Sequence, residues 1–182
     1  MKKLNIGCGK FKMHGALNVD IDNSVEPDIV WDIERDWNFA KNSEFDEVHA
    51  HSIMEHLYGT HHFLGECFRV LKPGGMLYLS VPFFYRYHSH PNDFYRFTKP
   101  CVERLLRDHG FEIIEMKTSG GRASALVEIL LPTKVGKARN LIYRLLQKVD
   151  KIAPNSDSFI DSISVRAKKL QAPRELFIRA AP

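Results

Sequence analysis

One short stretch of the chain concentrates side chains that can bind and transfer protons. The segment 85–96 contains two histidines, a carboxylate and several aromatic rings. A neutral imidazole accepts a proton near neutral pH, and a neighbouring carboxylate can hold the ring in one orientation. We therefore predict that His88 or His90 acts as a general base and that Asp93 orients it. The alternative is an ordered loop in which the aromatic rings pack and Asp93 pairs with Arg96.

A second pair of polar residues is predicted to open toward the same cleft. Glu55 and His56 follow the fourth predicted strand, where they are equally suited to bracing the helix that comes next. The candidate catalytic residues are His88, His90, Asp93 and Tyr95. The candidate acceptor-binding residues are Glu55, His56, Tyr85 and Arg96. Among these, Arg96 is the side chain expected to bind an anionic acceptor.

A glycine turn near the N-terminus predicts a nucleoside site. Gly7-Cys8-Gly9 follows a short apolar run, as is typical of a strand entering a tight turn, and glycine lets the backbone approach a ligand closely. Asp20 closes the next predicted strand and can accept hydrogen bonds from a ribose diol, with Asp22 as the weaker candidate. Asp32 closes the third strand and can accept a hydrogen bond from the exocyclic amine of adenine. An adenosine-containing ligand is expected.

The length of the first connection separates two classes of adenosine ligand. A dinucleotide site requires a third glycine and a helix N-terminus for the pyrophosphate, but Lys12 occupies that position. Only ten residues separate Gly9 from Asp20, so no more than one or two helical turns fit. This spacing favours S-adenosylmethionine (SAM) over a nicotinamide dinucleotide.

The elements that would position these residues alternate between strand and helix. This alternation predicts a single α/β domain over 1–182, with a doubly wound, Rossmann-like, mostly parallel sheet and helices on both faces. Residues 1–121 are expected to form the SAM-binding core, 122–172 a basic helical insert or lid, and 173–182 the closing strand. The insert is expected to hold helices over 123–131 and 137–152, and a loop with a short helix over 156–164.

Several segments together resemble a known family. They are Leu4-Asn5-Ile6-Gly7-Cys8-Gly9, Asn18-Val19-Asp20, Phe45-Asp46-Glu47-Val48, Met54-Glu55-His56-Leu57, Glu66-Cys67-Phe68-Arg69-Val70-Leu71-Lys72-Pro73-Gly74-Gly75 and His90-Pro91-Asn92-Asp93-Phe94-Tyr95-Arg96-Phe97-Thr98. In this order they resemble the class I SAM-dependent methyltransferases, in the subgroup of type 11 methyltransferase domains. The resemblance covers about residues 4–120, although the glycine loop and first helix are shorter here than is usual.

The resemblance implies roles for the residues at the strand ends. Gly7 and Gly9 would line SAM, Asp20 would hold the ribose hydroxyls, and Asp32 and Ile33 would border the adenine. The residues after the fourth strand would face the methionine part of SAM. The cofactor-binding residues expected in this way are Asn5, Gly7, Cys8, Gly9, Asp20, Ile21, Asp32, Ile33, His51 and Ser52.

Composition limits the partners and the compartment. The chain has 182 residues, three cysteines and no spacing typical of a metal site, so reduced thiols, a cytoplasmic location and no metal are expected. Residues 122–182 carry 12 Lys and Arg against 5 Asp and Glu, whereas 1–121 carry 14 against 17. The basic insert carries an apolar helical stripe that favours roofing the acceptor pocket over forming a homodimer face or contacting a membrane surface. Nucleic acid is not favoured as a substrate.

The sequence therefore predicts a SAM-dependent methyltransferase that acts on a small molecule. Because the segment 85–96 is rich in histidine and tyrosine, O-methylation of a sugar or another hydroxylated metabolite is favoured. The alternatives are a non-catalytic module that binds SAM or S-adenosylhomocysteine through this site and acts through its basic helices, and an RNA methyltransferase. A nicotinamide oxidoreductase is opposed by Lys12 and the short first connection.

Overall fold

The computed structural model describes residues 1–130, 141–146, 148 and 161–170. Seven strands form one sheet, with helices between them. The strands are β1 Lys3–Ile6, β2 Ala16–Asp20, β3 Ile29–Val30, β4 Phe45–His51, β5 Leu71–Pro82, β6 Phe111–Ser119 and β7 Ser162–Lys169. The helices are α1 Thr60–Val70, α2 Lys99–Asp108 and α3 Arg122–Leu130, with short 3-10 helices at Asn23–Val25 and Met54–His56. This confirms the predicted α/β fold.

The order of the strands is β3-β2-β1-β4-β5-β7-β6. The pairs among β1 to β5 are parallel, and β7 runs antiparallel to both β5 and β6. From β1 the chain builds outward in one direction, and from β4 it builds in the other. The carboxyl ends of β1 and β4 therefore mark the point where the strand order reverses, and sheets of this kind bind ligands there.

The central strands are buried on both faces because the sheet is covered by helices. Leu4 and Ile6 of β1 and Val48 and Ala50 of β4 are fully buried. Continuous apolar runs are typical of parallel strands packed in this way. They form one hydrophobic core with the inward faces of α1 and α2. The buried central strands of the sheet thus end next to the predicted site.

The last strand corrects part of the sequence analysis. The sheet contains Ser162–Lys169 as β7, inside the range 122–172 that was predicted to be helical, and Ser162 begins it where a loop and short helix were expected. Its residues alternate, with Ile163, Val165 and Ala167 buried. A period of two predicts a strand, but the polar residues between them hid that period in the sequence. The predicted closing strand 173–182 lies outside the described residues.

The basic insert is described only in part. α3 covers Arg122–Leu130, and residues 141–146 are also helical, which agrees with the two predicted helices. Leu141 and Leu145 of the predicted apolar stripe are 60% and 52% exposed, and the rest of the stripe is mostly outside the described residues. Within the described part of the chain, no helix combines the length and apolar character needed to cross a bilayer.

The ends of the two core helices follow from their sequences. α2 begins after Thr98, whose hydroxyl accepts the N–H of Cys101 at 3.4 Å, as is typical of an N-cap. α1 ends at Val70, just before the Lys-Pro-Gly-Gly stretch. The buried Lys169 of β7 donates 2.7 Å hydrogen bonds from Nζ to the carbonyls of Phe68 and Leu71. These bonds connect the C-terminal end of α1 and the start of β5 to β7.

Candidate active site

The glycine turn after β1 is held against the end of β2. The N–H groups of Gly7 and Cys8 donate to the carbonyl of Val19 at 2.9 and 3.2 Å. Gly7 has a φ of +63°, and a Cβ at this position would lie 2.6 Å from the side chain of Ile53. Both the backbone conformation and the close approach of Ile53 therefore require glycine.

Asp20 fixes the same turn from the end of β2. Its Oδ2 accepts the N–H of Gly9 at 2.7 Å, and its Oδ1 accepts the N–H of Asp22 at 2.9 Å. Each carboxylate oxygen can accept more than one hydrogen bond, so both remain able to bind a ligand hydroxyl. Asp22 instead caps the 3-10 helix, where hydrogen bonding to Ser24 lowers the pKa of Asp22.

Two buried asparagines support the turn from below. The Asn5 amide donates to Asn18 Oδ1 at 2.9 Å and to the carbonyl of Phe11 at 3.2 Å. Asn18 in turn donates to Asp28 Oδ2 at 2.9 Å and accepts from the N–H of Met13. The side chain of Asn5 is thus engaged within the protein, and it orders the connection between Gly9 and β2.

The remaining predicted cofactor residues lie at the ends of neighbouring strands. Asp32 follows β3, where Oδ1 accepts the N–H of Glu34 at 3.1 Å and Oδ2 lies 3.3 Å from Arg35 Nε. Ile33 is buried and Ile21 is exposed. His51 ends β4 and Ser52 follows it, and the N–H of Ser52 donates to the carbonyl of Ser80 at 2.9 Å.

A cavity of about 350 Å³ adjoins this edge of the sheet. It is lined by Ser52, Glu55, His56, Pro82, Tyr85, His88, Tyr143, Asp161 and Ser162. Ser52 belongs to the predicted cofactor residues, while Glu55, His56, Tyr85 and His88 belong to the predicted acceptor and catalytic residues. The structure therefore brings residues from both predicted groups together around one space.

Glu55 is the most unusual group in this cavity wall. It is fully buried, and neither carboxylate oxygen has a hydrogen-bond partner among the described residues. Burial raises the pKa of Glu55 from its ordinary value of 4.5 to about 7. Its Oε1 lies 3.8 Å from Nε2 of His56 and 3.8 Å from Nε2 of His88.

The hydrogen bonds of the two imidazoles determine which ring nitrogens are free. His56 Nδ1 lies 2.5 Å from the carbonyl of Asn92, and His88 Nδ1 lies 3.0 Å from the carbonyl of Arg86. A carbonyl oxygen can only accept, so we assign the ring proton of each neutral histidine to Nδ1. Both Nε2 atoms then carry a lone pair on the side of Glu55.

Asp93 and Arg96 hold the loop that carries His88. The Asp93 carboxylate accepts hydrogen bonds from Arg96 Nη1 at 2.5 Å and from Arg96 Nη2 at 2.8 Å. It also accepts a hydrogen bond from the backbone N–H of His88 at 2.8 Å. The hydrogen bonds from Arg96 hold the pKa of Asp93 well below its usual range. Arg96 also donates to the carbonyls of Tyr85, Arg86 and Tyr95. Its guanidinium is therefore engaged on every nitrogen.

Two predicted catalytic residues lie apart from the cavity wall. His90 is exposed, and it is not among the residues that line the cavity. The Tyr95 hydroxyl donates to the carbonyl of Tyr58 at 3.1 Å, and its ring packs near Phe97. Tyr95 therefore joins its loop to the segment that follows the 3-10 helix.

Sequence reasoning missed the residues that come from the other side of the cavity. Asp161 is buried at the start of β7, where its Oδ2 accepts the Tyr143 hydroxyl at 2.6 Å. Because β7 is antiparallel, its first residues lie at the edge where the parallel strands end. Reading the alternation of 162–169 as a strand would have placed Asp161 and Ser162 at the site.

The distances also allow a cation at one place. Within the described residues, Glu55, His56 and His88 are a group of three whose potential ligand atoms lie within 4.8 Å of one another. The histidine and cysteine spacings did not indicate this group, since Glu55 and His88 are far apart in the chain. The absence of a metal remains a prediction.

Comparison with known proteins agrees with the fold. Residues 4–79 match the family model described as a methyltransferase domain. No curated protein sequence gives a significant match. Among solved structures, a SAM-dependent methyltransferase from Archaeoglobus fulgidus is similar with a TM-score of 0.63 and 18% identity, over 92% of this chain and 86% of that one.

Two further structures show the same fold. One is described as a putative methyltransferase from Bacillus halodurans, with a TM-score of 0.60 and 15% identity over 93% of this chain and 92% of that one. The other is a phosphoethanolamine N-methyltransferase from Haemonchus contortus in complex with SAM, with a TM-score of 0.59 and 18% identity over 94% and 49% of the two chains. Residues 4–79 are thus similar to a methyltransferase domain, and the chain shares its fold with these methyltransferase structures.

Proposed function

We propose that the protein transfers a methyl group from SAM to a hydroxyl of a small molecule held in the 350 Å³ cavity. The observation that carries this proposal is the position of His88 in the cavity wall, with Nδ1 3.0 Å from the carbonyl of Arg86. With the ring proton assigned to Nδ1, where the carbonyl of Arg86 accepts it, Nε2 keeps a lone pair. A lone pair in this position can accept the proton of a hydroxyl group.

The cofactor site is proposed from the strand ends. Asp20 binds the ribose hydroxyls, because both of its carboxylate oxygens stay able to accept after bonding the N–H groups of Gly9 and Asp22. Gly7 and Gly9 provide the backbone surface, and Asp32 with Ile33 borders the adenine. Ser52 lines the acceptor cavity as well, so the methionine end of SAM would point its methyl group into that cavity.

The transfer itself is an in-line displacement. The acceptor oxygen forms a bond to the methyl carbon while the bond from that carbon to the sulfonium sulfur breaks, and S-adenosylhomocysteine leaves. The hydroxyl proton passes to His88 Nε2. Most of the rate enhancement would come from holding the oxygen and the methyl group in line.

Asp93 and Arg96 are proposed as positioning residues. The sequence analysis assigned Arg96 to an anionic acceptor, but its nitrogens bond Asp93 and three loop carbonyls. Asp93 joins this guanidinium to the N–H of His88. The pair therefore orients the loop that carries the base. Tyr85 lines the cavity and packs edge-on against His88 at 4.8 Å, so we keep it as an acceptor-binding residue.

The experiment is a screen of hydroxylated small molecules with methyl-labelled SAM, followed by comparison of two variants. With an acceptor in hand, His88→Gln should lower kcat by about 100-fold or more, while the affinity for S-adenosylhomocysteine stays unchanged. The matched control is His90→Gln, which changes an exposed histidine two residues away. Equal loss in both variants, or none in either, would contradict the assignment of His88. A folded protein that binds SAM but methylates none of a broad panel would favour the non-catalytic alternative.

A further inference from the structure

The proposed function leaves unexplained why a carboxylate is buried without a hydrogen-bond partner beside two imidazoles. The Glu55 side chain is fully buried, and among the described residues its carboxylate accepts no hydrogen bond. Burying a charged or polar group in this state is costly, so such a group calls for an explanation beyond stability. Its main chain is well ordered, since the Glu55 carbonyl accepts the N–H of Phe94 at 2.8 Å.

The two histidines point toward the same oxygen. His56 approaches from the 3-10 helix and His88 from the loop after β5, and each Nε2 lies 3.8 Å from Glu55 Oε1. The rings also meet edge-on, with centroids 4.9 Å apart. With both Nδ1–H groups held by backbone carbonyls, two lone pairs and a carboxylate face one another. A proton on either Nε2 converts this repulsion into an ion pair.

We infer that Glu55, His56 and His88 form one proton-accepting unit, in which the Glu55 carboxylate stabilises the imidazolium that forms on His88 during methyl transfer. The inference rests on the proposed function. The proton leaves the acceptor oxygen, binds His88 Nε2 and is then held between this nitrogen and Glu55 Oε1. Because Glu55 acts through His88, it is a positioning residue. The sequence analysis had predicted that it binds the acceptor.

Other groups around Glu55 modify its charge but do not replace it. His56 and His88 lie 3.8 Å from its Oε1, and Asp93 and Arg96 act on it through their charges. Tyr85, Tyr143 and Asp161 are the other titratable groups that line the same cavity. Arg96 lowers the pKa of Glu55 and Asp93 raises it, but both are smaller effects than burial. Because Asp93 and Arg96 already bond each other, the two histidines are the groups whose charge can change beside Glu55.

The test follows the ring signals of the histidines by nuclear magnetic resonance during a pH titration, without SAM or an acceptor. In the wild-type protein the ring signals of His56 and His88 should both change as Glu55 titrates near pH 7, and this change should be lost in Glu55→Gln because the titrating carboxylate has been removed. The control is Glu66→Gln, which removes a partly buried carboxylate paired with Arg69 away from the cavity. In this control variant, the pH dependence of the His56 and His88 ring signals should be the same as in the wild type.

Several outcomes decide the inference. A folded Glu55→Gln variant whose two ring signals still change near pH 7 as in the wild type would overturn it. Should that variant not fold, the carboxyl carbon of Glu55 in the wild-type protein provides the same test, because it should titrate together with the two rings; independent titration would overturn the inference. Cobalt(II) absorption bands that depend on all three residues would also overturn it, by making these atoms metal ligands. Failure to bind S-adenosylhomocysteine would instead count against the proposed function alone.

Discussion

The guanidinium of Arg96 binds both carboxylate oxygens of Asp93, at 2.5 and 2.8 Å, and the Asp93 side chain is only 1% exposed. A planar fork that matches a carboxylate in this way is both strong and specific in orientation. Because Asp93 also accepts the N–H of His88, the pair determines where the proposed base stands.

Breaking this pair should destabilise the protein. We expect Asp93→Asn to lower the free energy of unfolding by about 3 kcal/mol, since it leaves the partly buried guanidinium without a countercharge. Urea denaturation of both variants measures the effect. The matched control is Asp108→Asn, which breaks the exposed Arg104–Asp108 pair in α2 and should cost less than about 0.5 kcal/mol. Equal effects of the two substitutions would contradict the structural role of Asp93.

The pH dependence of stability should reveal Glu55. Its pKa is raised to about 7 in the folded protein, so the folded state holds this proton more tightly than the unfolded chain does. Stability is then lost as the pH rises from about 4.5 to about 7, and the loss is complete above that range. Glu55→Gln should therefore be more stable than the wild type at pH 8, by about 1–3 kcal/mol, and nearly equal to it at pH 4. A constant difference between the two proteins across this range would contradict the burial of the charge.

Asp93 should contribute in the opposite direction. Hydrogen bonding from Arg96 lowers its folded pKa, so its stabilising effect is present above the ordinary pKa and is lost as the pH falls through the folded value. We expect the stability gap between the wild type and Asp93→Asn to close progressively below about pH 4. Acid titration of the free energy of unfolding checks this, and a gap of constant size between about pH 6 and about pH 2 would contradict the lowered pKa of Asp93.

Glycine is required at one position of the turn and not in the helix. Gly7→Ala would place a methyl group 2.6 Å from Ile53 at a φ of +63°, and should cost about 1–3 kcal/mol together with affinity for S-adenosylhomocysteine. Gly65 in α1 has open space around its Cβ direction, so Gly65→Ala should stabilise the protein by up to about 1 kcal/mol. Thermal denaturation and ligand titration of the two variants separate these outcomes. A Gly7→Ala variant as stable as the wild type would show that Ile53 can move away.

Short-range patterns were sufficient for most of the fold. The apolar run before Gly7, Thr98 before α2 and the breakers after Val70 are all local signals, and elements of the structure begin or end at each of them. β7 was missed because its buried positions alternate with Ser, Arg and Lys, which resemble a solvated segment. The pairing of β7 with β5 and β6 is a contact between residues far apart in the chain, and no local pattern reports it.

The site shows the same division. The residue types around His88 indicated proton chemistry, but the sequence could not show which histidine faces the cavity. That choice depends on the carbonyls that bond each Nδ1 and on a cavity wall contributed partly by β7. Likewise, Arg96 was expected to bind a ligand because it is charged. Its five N–H donors are satisfied within the protein only once the loop has folded around Asp93, and the sequence could not show this.

The central claim is the adenosine site at the ends of β1 and β2, and calorimetric titration with S-adenosylhomocysteine tests it most directly. We predict micromolar binding by the wild type, a loss of about 10–100-fold in Asp20→Asn because a charged hydrogen-bond acceptor is removed, and little change in Asp22→Asn. Nicotinamide adenine dinucleotide should not bind. A folded wild-type protein that binds the dinucleotide and not S-adenosylhomocysteine would contradict the account.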